Sequence, residues 1–159
     1  MFTVELTDAE IIFCKMAGGM RSLTARASNV KDAKVGDLSN VQIDEDGMIG
    51  EYAFCKKMNI FPDLIPGPRS GSCDCVFMGK RVDVKSTRRE NGRLLSTTKN
   101  NDDVDVYVLA IILGNKVRFP GFALKKDLVR EQNLTELGHG IGYAMNQNEL
   151  KLWKEEFCD

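Results

Sequence analysis

Residues 73–87 hold the side chains of this chain that are best placed to do chemistry. They include two aspartates and a lysine, Asp74, Asp83 and Lys85, and the dipeptide Met78-Gly79 lies between the two acids. If this dipeptide is the turn of a β-hairpin, Asp74 lies directly across from Asp83 on the neighbouring strand. Because strand side chains alternate between faces, Lys85 projects from the same face as the two acids.

Two carboxylates that face each other across a hairpin repel unless another group compensates their charge. A divalent cation is a natural compensator, and Mg²⁺ commonly binds one or two carboxylates while it keeps positions for water and a substrate phosphate. Lys85 would add a positive charge beside the attacking water or the phosphate. The spacing leaves a second interpretation open, in which the hairpin is solvated and its charged side chains simply face water.

A third acid, Glu51, lies in a segment that predicts a helix over about residues 46–59. On this helix Glu51 shares a stripe with Phe54, Cys55 and Met58, whereas the lysines of the segment lie opposite. A carboxylate on the core-facing side of a helix needs a metal ion or a basic partner, because its unpaired burial costs free energy. Glu51 is therefore either part of an acidic cluster or a glutamate neutralised by an arginine.

The order and types of these residues resemble the PD-(D/E)XK nuclease superfamily, which has the restriction-endonuclease-like fold. The resemblance consists of Glu51 in a Gly-Glu-x-Ala helix, Asp74 on a strand and the sequence Asp83-Val84-Lys85 nine residues later. It covers about residues 45–125. In that superfamily a proline usually precedes the first aspartate, and here Cys73 stands in its place.

The resemblance implies an α/β fold in which helices flank a mixed central β-sheet, and it implies a role for each matching residue. Asp74, Asp83 and the backbone carbonyl of Val84 would bind Mg²⁺, for which Mn²⁺ would substitute. Glu51 would complete the acidic cluster, and Lys85 would orient or help deprotonate the attacking water. The implied activity is hydrolysis of phosphodiester bonds, in DNA rather than RNA, by an endonuclease rather than an exonuclease.

Basic residues concentrate beside this candidate site, although the net charge of the chain is only −1. Residues 80–99 contain seven basic residues and two acids. Residues 88–99 lack periodicity and predict a loop, which either contacts a phosphate backbone or is solvated. The candidate nucleic-acid-binding residues are Arg69, Arg88, Arg89, Arg93 and Lys99.

Length and composition predict one domain over residues 1–159, with residues 1–40 as an N-terminal helical extension and residues 45–125 as the catalytic core. The chain is 43% hydrophobic and 28% charged, as is usual for a soluble globular protein. The longest apolar run, residues 108–113, is too short to span a bilayer, which predicts a cytoplasmic protein without a membrane partner. A single histidine, His139, argues against histidine-based hydrolysis and structural zinc.

Periodicity and turn residues predict the remaining elements. They are an N-terminal helix over about residues 8–28 with a capping box at 7–10, a buried central strand over 105–113, a return strand over 116–119, a short helix over 124–130, an edge strand over 143–145 and a last helix over 146–157.

Two other classes of function stay open at this stage. One is a catalytically inactive nucleic-acid-binding module of the same fold, and the other is a protein-interaction or inhibitory protein whose acidic face binds a basic partner. Pairing into a homodimer is also open, since many relatives in the superfamily pair to cut both strands. A small stand-alone nuclease domain resembles those encoded by phages and mobile elements, which would place it in the host cytoplasm.

Overall fold

The structure, a computed structural model, describes residues 1–27, 39–65, 73–98, 103–138 and 140–153. Two predicted binding residues, Arg69 and Lys99, lie outside the described residues, as does His139. The helices and strands are, in chain order, β1 (Phe2–Glu5), α1 (Asp8–Ala27), α2 (Asn40–Met58), β2 (Cys75–Phe77), β3 (Lys80–Thr87), β4 (Leu94–Thr97), β5 (Val106–Leu113), β6 (Lys116–Phe119), β7 (Phe122–Leu124), α3 (Lys125–Leu128), β8 (Leu134–Glu136) and β9 (Ile141–Met145).

A mixed sheet with the order β1-β6-β5-β3-β2 forms the centre of the fold, and β7 also pairs with β5. β3 and β5 are parallel, whereas the other pairs of this sheet are antiparallel. Seven of the eight residues of β5 are buried, which explains its continuous apolar sequence. The predicted mixed α/β class and the predicted central strand are therefore confirmed.

Two apolar cores lie on opposite faces of this sheet. The core beside α1 and α2 contains Phe54 from α2 and Val82 and Val84 from β3. The opposite core contains Tyr107 and Leu109 from β5, together with residues of β4, α3 and β9. Alternate residues of β3 and β5 therefore point into different cores, and this alternation decides which side chains can meet.

α1 begins with the predicted capping box and packs closely on α2 at Gly18. The N–H of Thr7 donates to Glu10 Oε2 at 2.8 Å, and the N–H of Glu10 donates to Thr7 Oγ1 at 3.2 Å. A Cβ added to Gly18 would lie 2.6 Å from the carbonyl oxygen of Asp44, so the close approach of the two helices requires glycine. Ile11 of this helix packs on the core, whereas five other large apolar side chains of α1 are exposed: Ile12, Phe13, Met16, Met20 and Leu23.

The helix that carries Glu51 begins at Asn40, earlier than the predicted start near residue 46. The Ser39 hydroxyl caps it by accepting the N–H of Gln42 at 3.3 Å. The prediction of the start was wrong because the first turns are polar and are supported by packing against Gly18 of α1, which a local pattern does not show. The predicted end is confirmed, since Asn59 follows Met58 in the left-handed region with φ of 54°.

A second sheet of three antiparallel strands, β4-β9-β8, corrects two further predictions. Residues 94–97 were expected in a loop but form β4, because β9 pairs with them. The strand expected at an edge, β9, is the middle strand of this sheet. The prediction of a last helix is also wrong for the residues that the structure describes, since Asn146 caps only a short 3₁₀ turn, Gln147–Glu149.

α2 touches the central sheet at Gly50, the residue before Glu51. A Cβ added at Gly50 would overlap Ser86 Oγ of β3 and would lie 3.1 Å from the Cβ of Ala110 of β5. The Ser86 hydroxyl is buried and has no hydrogen-bond partner in the described part of the chain. Glycine at this position therefore sets the distance between the helix of Glu51 and the strand of Asp83.

Gly50→Ala should lower the free energy of unfolding by about 1–3 kcal/mol, because the added methyl group overpacks the contact with β3. Gly19→Ala is the matched control on α1, where an added Cβ meets nothing within 4 Å. That variant should be stabilised by about 0.5–1 kcal/mol, since alanine is the better helix former. Urea unfolding followed by circular dichroism measures both changes.

Adding Ser86→Ala to Gly50→Ala should recover part of the lost stability, because the hydroxyl that the new methyl group meets is removed. Ser86→Ala alone should be close to neutral, since it deletes a buried hydroxyl without a described partner. Equal effects of the Gly50 and Gly19 substitutions would contradict the close crossing of α2 over β3.

Candidate metal-binding and catalytic site

The predicted hairpin is present with the predicted register. Residues 75–77 pair with residues 80–82, so that Phe77 lies opposite Lys80. Met78 and Gly79 form the turn with φ of 50° and 75°, and positive φ at both central residues is the signature of a type I′ turn. The two-residue length of this turn fixes which residues of β2 and β3 pair with each other.

The structure brings the two aspartates of the hairpin together. Asp74 precedes β2, and its N–H donates to the carbonyl oxygen of Val82 at 2.7 Å. Its Oδ2 accepts the N–H of Val84, also at 2.7 Å, which fixes the carboxyl group against β3. Asp83 is 6% exposed, and its carboxyl group hydrogen-bonds to that of Asp74.

Lys85 completes this cluster on the solvent side. Its Nζ lies 2.8 Å from Asp83 Oδ2, and its side chain is 41% exposed. Burial lowers the pKa of Lys85, but the charges of Asp83 and Asp74 outweigh burial and hold the pKa above its usual value. The lysine therefore stays a cation beside the two acids.

The pKa of Asp83 is raised from 3.8 to about 6. Burial is the largest cause, Lys85 acts against it, and Asp74 adds to it. A hydrogen bond between two carboxyl groups requires a proton on one of them, so proximity and burial together favour a protonated pair at mildly acidic pH.

Tyr107 and Ser96 lie behind the acids and are residues that the sequence did not single out. Tyr107 is the β5 partner of Asp83 across the parallel ladder, and its hydroxyl hydrogen-bonds with Ser96 of β4. Burial raises the pKa of Tyr107, Ser96 lowers it and Asp83 raises it. No local signal marks either residue, because both belong to strands whose neighbours come from distant parts of the chain.

Glu51 lies on the other face of the sheet from Asp83 and Lys85. Its helix packs on the face to which Val82 and Val84 contribute, whereas Asp83 alternates with them and points away. Glu51 is 8% exposed, and its Oε2 lies 2.7 Å from Arg21 Nη1 of α1. Arg21 is thus a basic partner of this buried carboxylate, and no local pattern in the sequence indicates it.

The donors at the hairpin suit a small oxygen-binding cation with few protein ligands. Asp74 and Asp83 offer two carboxyl groups in contact, and Mg²⁺ commonly takes only one or two carboxylates together with waters. Within the described ranges, no three His, Cys, Asp or Glu side chains come close enough to hold a metal ion. Glu51 therefore does not join the two aspartates as a third ligand in this arrangement.

The three described arginines that were predicted to bind phosphate are all exposed, and one of them is engaged by an acid. Arg88 makes two hydrogen bonds to the buried carboxylate of Asp46, at 2.8 and 2.6 Å, and so ties β3 to α2. Arg89 and Arg93 are exposed in the segment between β3 and β4. Within the described ranges, a phosphate backbone could contact Arg89 and Arg93 without displacing an ion-pair partner, whereas Arg88 would have to leave Asp46.

A second ion pair fixes β3 against β5 at the start of both strands. Arg81 donates from Nε to Asp105 Oδ2 at 3.1 Å and from Nη2 to Asp105 Oδ1 at 3.0 Å. This hydrogen bonding lowers the pKa of Asp105 to about 2. The acids before β5 therefore serve to hold the ladder together, beside the cluster rather than within it.

No protein-family model, curated protein or solved structure matches the chain. None of the helices in the described ranges is long and apolar enough to cross a membrane. What the cluster can do chemically follows from its own residues: two carboxyl groups in contact, an ammonium group 2.8 Å from one of them, and a tyrosine behind.

The raised pKa of Asp83 predicts a specific dependence of stability on pH. The folded state binds this proton more tightly than the unfolded state does, so the stabilisation is complete below about pH 4 and is lost as pH rises through about 6. We expect the free energy of unfolding of the wild type, relative to Asp83→Asn, to fall by up to about 3 kcal/mol over this interval.

Urea unfolding of both proteins between pH 4 and pH 7 measures this difference. The lowered pKa values of Glu10 and Asp105, each about 2, act at lower pH and are common to both proteins. A difference that stays constant from pH 4 to pH 6 would contradict the buried carboxyl pair.

Proposed function

We propose that the protein is a metal-dependent nuclease of restriction-endonuclease-like fold that hydrolyses phosphodiester bonds, in DNA in preference to RNA. The single observation that supports this most strongly is the contact between the Asp74 and Asp83 carboxyl groups, with the Lys85 ammonium 2.8 Å from Asp83. Buried acids in contact are costly when both are ionised. A divalent cation between them would remove that cost and place Lewis acidity at the site.

Each residue of the cluster has a role in this proposal. Asp74 and Asp83, with the carbonyl of Val84, would hold Mg²⁺ or Mn²⁺, which supplies Lewis acidity toward a phosphate and acidifies water when bound. The hydrogen bond from the Val84 N–H keeps the Asp74 carboxylate oriented. Lys85, partly exposed, would orient or help deprotonate the attacking water and stabilise charge on the scissile phosphate.

Glu51 has two possible roles in this proposal, and its ion pair with Arg21 supports the structural one. In the first role it binds a second ion or holds a water, which would require it to leave Arg21. In the second role it holds α1 and α2 together beside the site. Homodimer formation and a phage or mobile-element setting in a cytoplasm rest on the superfamily resemblance alone.

A second candidate function is a nucleic-acid-binding or protein-interaction module that keeps this fold without catalysis. The observation that favours it is the neutralisation of Glu51 by Arg21, which leaves two carboxylates at the hairpin instead of three. Metal-independent binding with no cleavage would support this second candidate over the first.

Asp83→Asn and Lys85→Met should each reduce DNA cleavage by at least about 100-fold, because each removes a charge positioned at the reacting phosphate. The assay incubates supercoiled plasmid and single-stranded DNA with Mg²⁺, with Mn²⁺ or with EDTA. Matched controls are Asp103→Asn, which changes an exposed acid beside Arg81, and Lys116→Met on β6, and both should cleave as the wild type does.

No metal-dependent cleavage, or cleavage that survives Asp83→Asn, would remove this nuclease assignment. Circular dichroism is the control for folding. Both inactive variants should keep their fold, because Asp83 and Lys85 do not belong to either apolar core.

Arg21→Met should lower the free energy of unfolding by about 1.5–3 kcal/mol, because it removes the guanidinium that lies 2.7 Å from the buried carboxylate of Glu51. Adding Glu51→Gln should restore part of this stability, because it removes the buried charge of Glu51 but does not restore the contact of Arg21 with the carbonyl oxygen of Asp63. Cleavage by the double variant then separates the two roles of Glu51: recovered activity shows a structural role, and lost activity in a stable protein shows a ligand role. Unchanged stability of Arg21→Met would contradict the buried ion pair.

A further inference from the structure

A groove of about 660 Å³ lies beside Asp74, between the segment that follows α2 and the outermost strand of the sheet, β2. Most of its lining is apolar, and two carboxylates, Asp63 and Asp74, are the charged groups of the lining. Asp74 thus belongs both to the groove and to the carboxyl pair. The apolar walls of the groove are formed by Ile60, Phe61, Pro62, Leu64, Ile65 and Val76.

The wall that carries Phe61 is held in place by backbone contacts. The N–H of Ile60 donates to the carbonyl oxygen of Cys55 at 3.0 Å, and Arg21 donates to the carbonyl oxygen of Asp63. The carboxylate of Asp63 accepts the N–H of Ile65 at 2.9 Å. The segment therefore has a defined conformation, and Asp63 is occupied by its own chain.

Phe61 presents its ring to solvent at the edge of this groove. It is 84% exposed, and Ile65 and Val76 on the same groove are also exposed. Single exposed apolar residues are common on protein surfaces. Three of them on the walls of one groove that ends at a candidate catalytic acid form a surface suited to a flat apolar ligand.

We propose that this groove binds an unpaired nucleobase of the substrate strand, stacked on Phe61, and thereby positions the adjoining phosphate at Asp74. The proposal rests on the nuclease function proposed above and specifies its substrate as nucleic acid with unpaired bases. Stacking on an aromatic ring tolerates every base, because each base has a π-face. The apolar lining offers few groups for reading base edges, so binding should depend little on sequence.

A preference for single strands over intact duplex follows from this geometry. A base that is already stacked and paired in a duplex can reach Phe61 only after it is unpaired, which costs a few kcal/mol. An apolar peptide of a partner protein would also fit apolar walls. The continuity of the groove with the carboxyl pair favours the nucleobase, since it joins the base and its phosphate to one site.

Binding of labelled single-stranded and duplex oligonucleotides in EDTA, followed by fluorescence anisotropy, tests the proposal without hydrolysis. Phe61→Ala and Phe61→Leu should each weaken single-strand binding by about 5- to 100-fold, the value of one base stack. Phe61→Trp should keep or strengthen it, and duplex binding should stay within about 2-fold of wild type in all three. Ile141→Ala, an exposed residue of β9, is the matched control and should bind as the wild type does.

Wild-type affinity of Phe61→Leu for single strands would overturn base stacking and leave an apolar peptide as the occupant. This failure is distinguishable from failure of the nuclease assignment. Phe61-dependent binding without metal-dependent cleavage would retain the groove and remove the enzyme. The opposite result is cleavage of single strands that requires Asp83, with neither binding nor cleavage rate changed by substitution of Phe61. That result would retain the enzyme and remove the groove as a base-binding site.

Discussion

The candidate site depends on one costly contact, the meeting of the Asp74 and Asp83 carboxyl groups in a nearly solvent-free position. The two-residue turn at Met78-Gly79 sets this contact, because strand side chains have a period of two and a shift by one residue would send Asp83 into the opposite core. The same shift would bring the apolar Val82 and Val84 out of their core. The hydrophobic pattern that stabilises the hairpin thus also enforces the electrostatic cost, and Lys85 offsets part of it from the solvent side.

The elements that the sequence predicts correctly are those whose signals are local. The turn at residues 78–79, the capping box at the start of α1 and the apolar run of β5 are each contained in a few neighbouring residues, and the structure has all three. The errors share a different origin. β4 exists because β9 pairs with it, and α2 starts early because Gly18 of α1 lets the helices approach, so both depend on partners that are distant in sequence.

The candidate site divides in the same way. Asp74, Asp83 and Lys85 come together because one hairpin carries all three, and spacing within a hairpin is readable from the chain. Glu51 pairs with Arg21, and Arg88 pairs with Asp46, and in both cases the partner belongs to another element. A single sequence contains no signal that matches a buried acid with its base. Sequence patterns can thus indicate that Glu51 needs a partner. They cannot say whether that partner is an arginine or a metal ion.

At the edge of the central sheet, a ligand can approach both faces of the sheet. β2 is the last strand, so nothing in the described sheet continues beyond it. On one side of this edge lie Asp83 and Lys85, and on the other lies α2, whose Cys55 hydrogen-bonds with the Cys75 thiol of β2. A ligand that lies along the edge can therefore touch groups from both faces, which no ligand on a sheet surface can do. The groove of Phe61 is lined by residues of this edge strand and by Asp74, so under the proposed function an extended single strand would fit it better than a rigid duplex, whose bases are already stacked on one another.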